Sequence, residues 1–118
     1  MLEEMKLKDV LELMKILNKK EESIEKRYVI IRTYSAGVFA GDIYSKNGQE
    51  VVLLNARRIW KWSGAASLSQ LAMDGTKDPE NCMFPCEVER IELMQVIEII
   101  DVTEKAKKSI KSVKIWEQ

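Results

Sequence analysis

Apolar residues near the start of the chain recur with the spacing of one face of an α-helix. An i, i+3, i+4, i+7 pattern runs through Leu7, Val10, Leu11, Met14 and Leu17, with lysines and glutamates on the opposite side. The pattern predicts an amphipathic helix within residues 1–24. Its apolar stripe either packs on the rest of the chain or meets another subunit, and the sequence leaves both arrangements open.

Apolar runs after residue 27 predict an antiparallel sheet. Residues 27–34, 38–44 and 50–55 are rich in branched and aromatic side chains, and the Asn47-Gly48 pair predicts a tight hairpin between the second and third strands. The third strand can continue to residue 62. Residues 82–88 predict a bent edge strand interrupted by Pro85, residues 91–102 the strongest late strand, and residues 113–116 a final short one.

Two short helices are predicted from their capping residues. Ser67 and Gln70 have the spacing of a capping box and begin a helix over 67–74, which Gly75 ends. Thr103 caps a second helix over 103–110. We therefore expect one α+β domain over 1–118, in which the N-terminal helix (1–24) precedes a small antiparallel sheet that forms the ligand-binding body (27–118).

Composition and charge restrict the possible partners. The 118 residues are 46% apolar and 32% charged, as in an ordinary globular domain. The 19 basic and 19 acidic residues cancel, whereas a protein that binds long nucleic acid usually carries a basic surplus. No apolar run approaches the roughly 20 residues that span a bilayer, and the N-terminus lacks the order of a signal peptide. We expect a cytoplasmic protein with no membrane and no long nucleic-acid partner.

The side chains available for catalysis are few. The chain has no histidine, which removes the commonest general acid or base and every Ser–His or Cys–His pair. Cys82 and Cys86 lack the further cysteines or histidines that would complete a zinc site, and are interpreted as reduced thiols beside a bend. The sequence therefore predicts a binding protein and not an enzyme, with no cofactor and no metal.

Cations and indoles alternate in one segment and suggest a site for a nucleotide. Arg57 and Arg58 are expected to meet phosphates with Lys61 beside them, Trp60 to stack on adenine, and Asn55 or Ser67 to hydrogen-bond the base or ribose. The same segment could equally be the solvated rim of a sheet with tryptophans in the core.

A second segment offers aromatic rings around small residues. Tyr34, Phe39 and Phe84 are further candidates for stacking, and Ser35, Ala36 and Gly37 would let the backbone approach a ligand closely. A hairpin corner explains these small residues as well. A pocket shared between subunits is plausible, because few residues of so small a chain can surround a dinucleotide.

Four stretches carry a resemblance to a known family. Residues 29–38, including RTYSAG, residues 56–62 (ARRIWKW), residues 64–68 and residues 97–100 resemble the first-described phage anti-Thoeris sponge family, over about residues 28–113. The resemblance implies a non-catalytic anti-defence protein that sequesters a cyclic ADP-ribose isomer made by bacterial TIR proteins. It also implies a homo-oligomer, from dimer to hexamer, in the host bacterial cytosol, with possible sites for the cyclic oligonucleotides of CBASS defence.

Two other functions stay open. Tryptophan and arginine are common anchors of protein interfaces, so the same segment suits a phage structural or host-inhibitory interaction module without a small-molecule ligand. Binding of RNA or single-stranded DNA fits less well with the balanced charge.

Overall fold

The computed structural model describes residues 27–117. The helix predicted within residues 1–24 lies outside the described residues. The described part begins directly with the predicted sheet.

Five antiparallel strands form one sheet. They are β1 (Tyr28–Thr33), β2 (Val38–Asn47), β3 (Glu50–Arg58), β4 (Glu87–Leu93) and β5 (Val96–Asp101). Their order across the sheet is β4-β3-β2-β1-β5, so the first four strands form a meander and β5 returns to pair with β1. Gly48 adopts the positive φ that the predicted β2–β3 hairpin requires.

The expectation of an α+β domain is wrong for residues 27–117. This part of the chain is mostly antiparallel sheet, with two short α-helices: α1 (Leu68–Asp74) and α2 (Glu104–Ser112). The sheet dominates because branched and aromatic residues fill the strands on both faces, so that the sheet supplies most of its own core.

The single late strand predicted over 91–102 is also wrong. Only two residues, Met94 and Gln95, separate β4 from β5, yet these strands occupy opposite edges of the sheet. The Gln95 carbonyl accepts from Tyr34 at the end of β1, and the Val96 N–H donates to Gln49 in the β2–β3 hairpin, each at 3.0 Å. The sheet must therefore curl until its edges come close, as in an open barrel.

The curled sheet encloses the first of two cores. The inner core takes buried residues from all five strands: Val29, Ile31, Phe39, Ile43, Val51, Leu53, Ala56, Leu93 and Val96. A bulge helps the sheet to bend, since Asn55 adopts φ 51° opposite Gly41, where a Cβ would lie 3.0 Å from the Ala56 Cα.

The outer core lies between the sheet and the helices. Tyr28, Ile30 and Ala40 point outward from the strands and pack with Leu71 of α1 and Ile110 of α2. The predicted caps are confirmed: the Ser67 hydroxyl accepts from Gln70, and the Thr103 hydroxyl accepts from Ala106. Of the strand predicted over 113–116, a single bridge between Phe84 and Ile115 is present.

Candidate functional site

Two predicted segments meet at one end of the sheet. The Ile59 N–H donates to the Val38 carbonyl at 2.8 Å, and Arg58 lies opposite Phe39 in the β2–β3 register. This pairing aligns the segment after β3 with the β1–β2 turn. We call the resulting surface the aromatic rim; it consists of Tyr34, Ser35, Ala36, Gly37, Arg58, Trp60 and Lys61, all of which are exposed.

Arg58 is the fixed cation of the aromatic rim. Its guanidinium carbon lies 4.6 Å from the centroid of the Phe39 ring, and its Nη1 donates to the Ala36 carbonyl at 3.3 Å. These contacts hold the side chain in place while it stays exposed, and they leave most of its five N–H groups for other acceptors. Arg58 is therefore well placed to bind an anion.

The same two segments also carry two large exposed aromatic side chains. Tyr34 is 77% exposed and Trp60 is 63% exposed, whereas Phe39 is buried beneath Arg58. The backbone on both sides is fixed, because the Tyr34 N–H donates to Gln95 and the Trp60 N–H donates to Met83. The rim thus presents two rings and a cation to solvent. Phe39 supports Arg58 from below and cannot stack on a ligand.

Arg57 faces the opposite way and does not join the rim. It is 3% exposed, and its guanidinium donates to the carbonyls of Pro85 (2.9 Å), Ile110 (2.9 Å) and Phe84 (3.0 Å). Burial lowers the pKa of Arg57 from its usual value, against the field of Glu87, which raises it. The predicted phosphate contact does not fit this geometry, because Arg57 joins the sheet to the end of α2.

The other predicted contact residues also lie elsewhere. Phe84 is fully buried in the outer core, with the Arg57 guanidinium carbon 5.4 Å from its ring centroid. The Asn55 amide donates to Asp42 at 3.3 Å from the bulge in β3. Ser67 caps α1, and the Gln70 side chain accepts from the adjacent Ala66 N–H at 2.7 Å. The residues predicted between positions 55 and 67 therefore do not form one site: some lie in the rim, Arg57 lies in the core, and Ser67 caps a helix.

Gln95 lies next to the rim and was not predicted from the sequence. Gln95 is exposed, has φ 55°, and accepts from the Tyr34 backbone. It stands inside a run of branched residues that reads as continuous strand, and glutamine gives no turn signal comparable to glycine or asparagine. Nothing local in the sequence marked it.

A polar network fixes the loop between the rim and α1. The Ser63 hydroxyl and the Asn81 amide both donate to the Asp78 carboxylate at 2.9 Å, and the Asp78 N–H donates to the Thr76 hydroxyl. These hydrogen bonds, of which the one from Asn81 has the larger effect and the one from Ser63 the smaller, hold the pKa of Asp78 below its usual value. Gly64 is required here, since a Cβ would lie 2.3 Å from the Asp78 nitrogen.

Metal and membrane sites are not apparent within residues 27–117. No group of three metal-ligating side chains is found there, and Cys82 (buried) and Cys86 (exposed) are free thiols. No helix of this region is long and apolar enough to cross a membrane. Two clefts are lined by residues outside the rim: one beside Trp116 and a smaller one, of about 180 Å³, beside the β2–β3 hairpin.

Comparisons with known proteins give a family but no activity. Neither the curated proteins nor the solved structures contain a match to this chain. The profile of a family described as a domain of unknown function (DUF6948) matches residues 26–110, which include all five strands, α1 and most of α2. The chain therefore belongs to the DUF6948 family.

Proposed function

We propose that this protein is a non-catalytic binder that sequesters a phosphate-bearing cyclic nucleotide at the aromatic rim. The observation that carries the proposal is Arg58, which is held between the Phe39 ring and the Ala36 carbonyl yet stays exposed beside Tyr34 and Trp60. A prepositioned guanidinium suits a phosphate, and stacking of a base on an aromatic ring contributes about 1–3 kcal/mol.

The resemblance to the anti-Thoeris sponge family supplies the ligand class. RTYSAG forms the end of β1 and the turn of the rim, and ARRIWKW supplies Arg58, Trp60 and Lys61. On this proposal the ligand is a cyclic ADP-ribose isomer or a cyclic oligonucleotide, and the protein acts in the bacterial cytosol. Sequestration needs stacking and charge-assisted hydrogen bonds, and it needs no catalytic histidine.

A second copy of the chain completes the site in this proposal. One rim is an open surface, and a dinucleotide buries most of its area in a pocket when it binds tightly. A symmetric pair of rims would bring two Arg58 groups and four aromatic rings around the phosphates and the adenine of the ligand. This arrangement predicts that ligand binding and self-association are coupled.

Calorimetry with cyclic ADP-ribose tests the proposal. We expect Arg58→Ala to weaken binding about tenfold or more and Trp60→Ala to weaken it by a similar factor, since each removes about 1–3 kcal/mol. Arg90→Ala is the matched control, because Arg90 is an exposed arginine of β4 that pairs with Glu92 at 2.9 Å. Unchanged affinity in both rim variants would remove the rim as the binding site.

The fate of the ligand separates a sponge from an enzyme. The complex is heated and the released small molecule is identified by mass spectrometry. We expect the intact cyclic nucleotide; a cleaved product would show catalysis and contradict the proposal.

An interaction module is the second candidate, and it is favoured because neither described cleft lies at the rim. Exposed tryptophan, tyrosine and arginine are common at the centres of protein interfaces, and none of the rim residues lines either of the two clefts. If the protein binds no cyclic nucleotide but Trp60→Ala abolishes capture of a host or phage protein, this candidate replaces the first.

A further inference from the structure

A separate cleft of about 670 Å³ opens at the end of α2. Residues Met83 and Phe84 separate it from the aromatic rim, since Met83 pairs with Lys61 on one side and Phe84 with Ile115 on the other. The volume lies in the range of small-molecule sites, roughly 300–1,000 Å³. The cleft is therefore large enough for an organic ligand that the rim does not bind.

The lining of the cleft combines apolar and aromatic side chains with charged ones. The apolar residues of the lining are Pro79, Ile115, Trp116 and the buried Cys82. The Trp116 backbone is fixed by a 3.0 Å hydrogen bond from its N–H to the Phe84 carbonyl. An indole held in a cleft can accept the edge or face of a flat ligand, and its π-face attracts a cation.

The charge around these walls favours a cation. Glu80 and Glu117 line the cleft, and neither forms a salt bridge with another residue between 27 and 117. Ser112, the last residue of α2, also lines it, and its hydroxyl donates to the Ser109 carbonyl at 2.7 Å. The two carboxylates therefore act in the same direction.

The basic residues nearby do not cancel this field. Arg57 donates to the carbonyls of Phe84, Pro85 and Ile110, and the Lys111 ammonium lies 4.0 Å from the Glu87 carboxylate; neither lines the cleft. Among residues 27–117, Lys114 is the one basic residue in the lining, and it is exposed, so its flexible side chain can turn its ammonium into water.

We propose that this cleft is a second binding site, for an organic cation in which an ammonium, amidinium or guanidinium group is joined to a flat or apolar body. The cationic group lies against Glu80 and Glu117, and the body packs on Trp116 and Ile115. This preference is opposite in charge to that of the aromatic rim, so the two proposals stand or fall separately.

Three probes of one shape test the charge preference. Benzamidine, benzamide and benzoate are titrated into isotopically labelled protein, and the indole N–H signals of the three tryptophans are followed by NMR. We expect benzamidine to shift the Trp116 signal and to bind about tenfold more tightly than benzamide, as a cation over an indole near carboxylates would. Benzoate should bind most weakly.

Neutral variants test the assigned carboxylates. Glu80→Gln and Glu117→Gln keep the side-chain shape, and each should weaken benzamidine binding about threefold, as for a partly screened charge pair. Glu89→Gln is the control, since Glu89 is an exposed glutamate of β4 and does not line the cleft. The proposal would be overturned if benzamidine did not bind, if the three probes bound equally, or if only the Trp60 signal shifted. It would also be overturned if all three variants had equal effects on benzamidine binding.

Discussion

At the scale of single residues, two adjacent arginines have opposite roles. Arg57 and Arg58 project to opposite sides of β3, as alternation along a strand requires. Alternation does not tell which side is buried, and the acceptors of Arg57 come from residues 84, 85 and 110. The sequence therefore marked the pair as unusual, while long-range contacts decided which arginine is available to a ligand.

Replacing Arg57 should destabilise the fold. Arg57→Ala removes three charge-assisted hydrogen bonds to carbonyls, and a hydrogen bond to a charged group contributes about 1.5–3 kcal/mol. We expect a loss of about 3 kcal/mol or more in the free energy of unfolding, measured by urea denaturation.

Arg58→Ala is the matched control for stability. It removes an exposed contact with the Phe39 ring, and such contacts contribute about 0.5–1 kcal/mol. Equal losses in the two variants would contradict the division of roles.

The Asp78 carboxylate should make the stability depend on acid. Hydrogen bonds lower the pKa of Asp78 in the folded state. The carboxylate therefore adds to the free energy of unfolding at pH values above its pKa in the unfolded chain, about 3.9. This contribution is lost as the pH falls through the lower pKa of the folded state. Below about pH 4, Asp78→Asn should therefore lose less stability on acidification than the natural protein does. Urea denaturation over a pH series measures this.

The control for acid dependence is Asp74→Asn. Asp74 is an exposed aspartate at the end of α1, outside the network around Ser63 and Asn81. The free energy of unfolding is compared as a function of pH for the natural protein, Asp78→Asn and Asp74→Asn. If all three lose the same stability on acidification, the Asp78 carboxylate does not cause the acid dependence.

At the scale of elements, local signals predicted the caps and missed one corner. Ser67, Gly75 and Thr103 mark helix ends through hydrogen bonds to residues within four positions, so the sequence contains the whole motif. The break between β4 and β5 has no such motif. Met94 and Gln95 turn because their neighbours pair with opposite edges of a curled sheet.

Thr103 should contribute more to stability than an ordinary cap. Its hydroxyl accepts from the Ala106 N–H at 3.1 Å and donates to the Met73 carbonyl at 2.7 Å, which joins α2 to α1. We expect Thr103→Ala to cost about 2 kcal/mol and Ser67→Ala about 1 kcal/mol, by chemical denaturation.

Thr103→Ser keeps the hydroxyl and should recover most of the loss. If the alanine and serine variants are equally unstable, the methyl group and not the hydroxyl is responsible.

At the scale of the whole molecule, one sheet separates two cores. Leu53 lies in the inner core within the curled sheet, and Leu71 lies in the outer core beneath the helices. Because alternate residues of β1 serve each core, neither core can lose its packing while the sheet stays intact. The described region should therefore unfold as one cooperative unit.

Truncations in the two cores test this coupling. Leu53→Ala and Leu71→Ala should each cost about 2–5 kcal/mol, the range for a buried leucine. In both variants, thermal unfolding followed by tryptophan fluorescence and by far-ultraviolet circular dichroism should give coincident transitions. A fluorescence transition that moves alone in Leu71→Ala would show that the helices detach separately.

The sequence by itself determined the first three strands, the β2–β3 hairpin and both helix caps, because these depend on side-chain alternation and on hydrogen bonds between near neighbours. Only the tertiary structure decided that residues 91–102 divide between two edges, that the sheet curls around an inner core, and that Arg57 is buried while Arg58 is exposed. These outcomes depend on contacts between residues far apart in the chain, whose free energies outweigh local preference. For the same reason, the aromatic rim and the cleft beside Trp116 became visible only when distant segments were brought together.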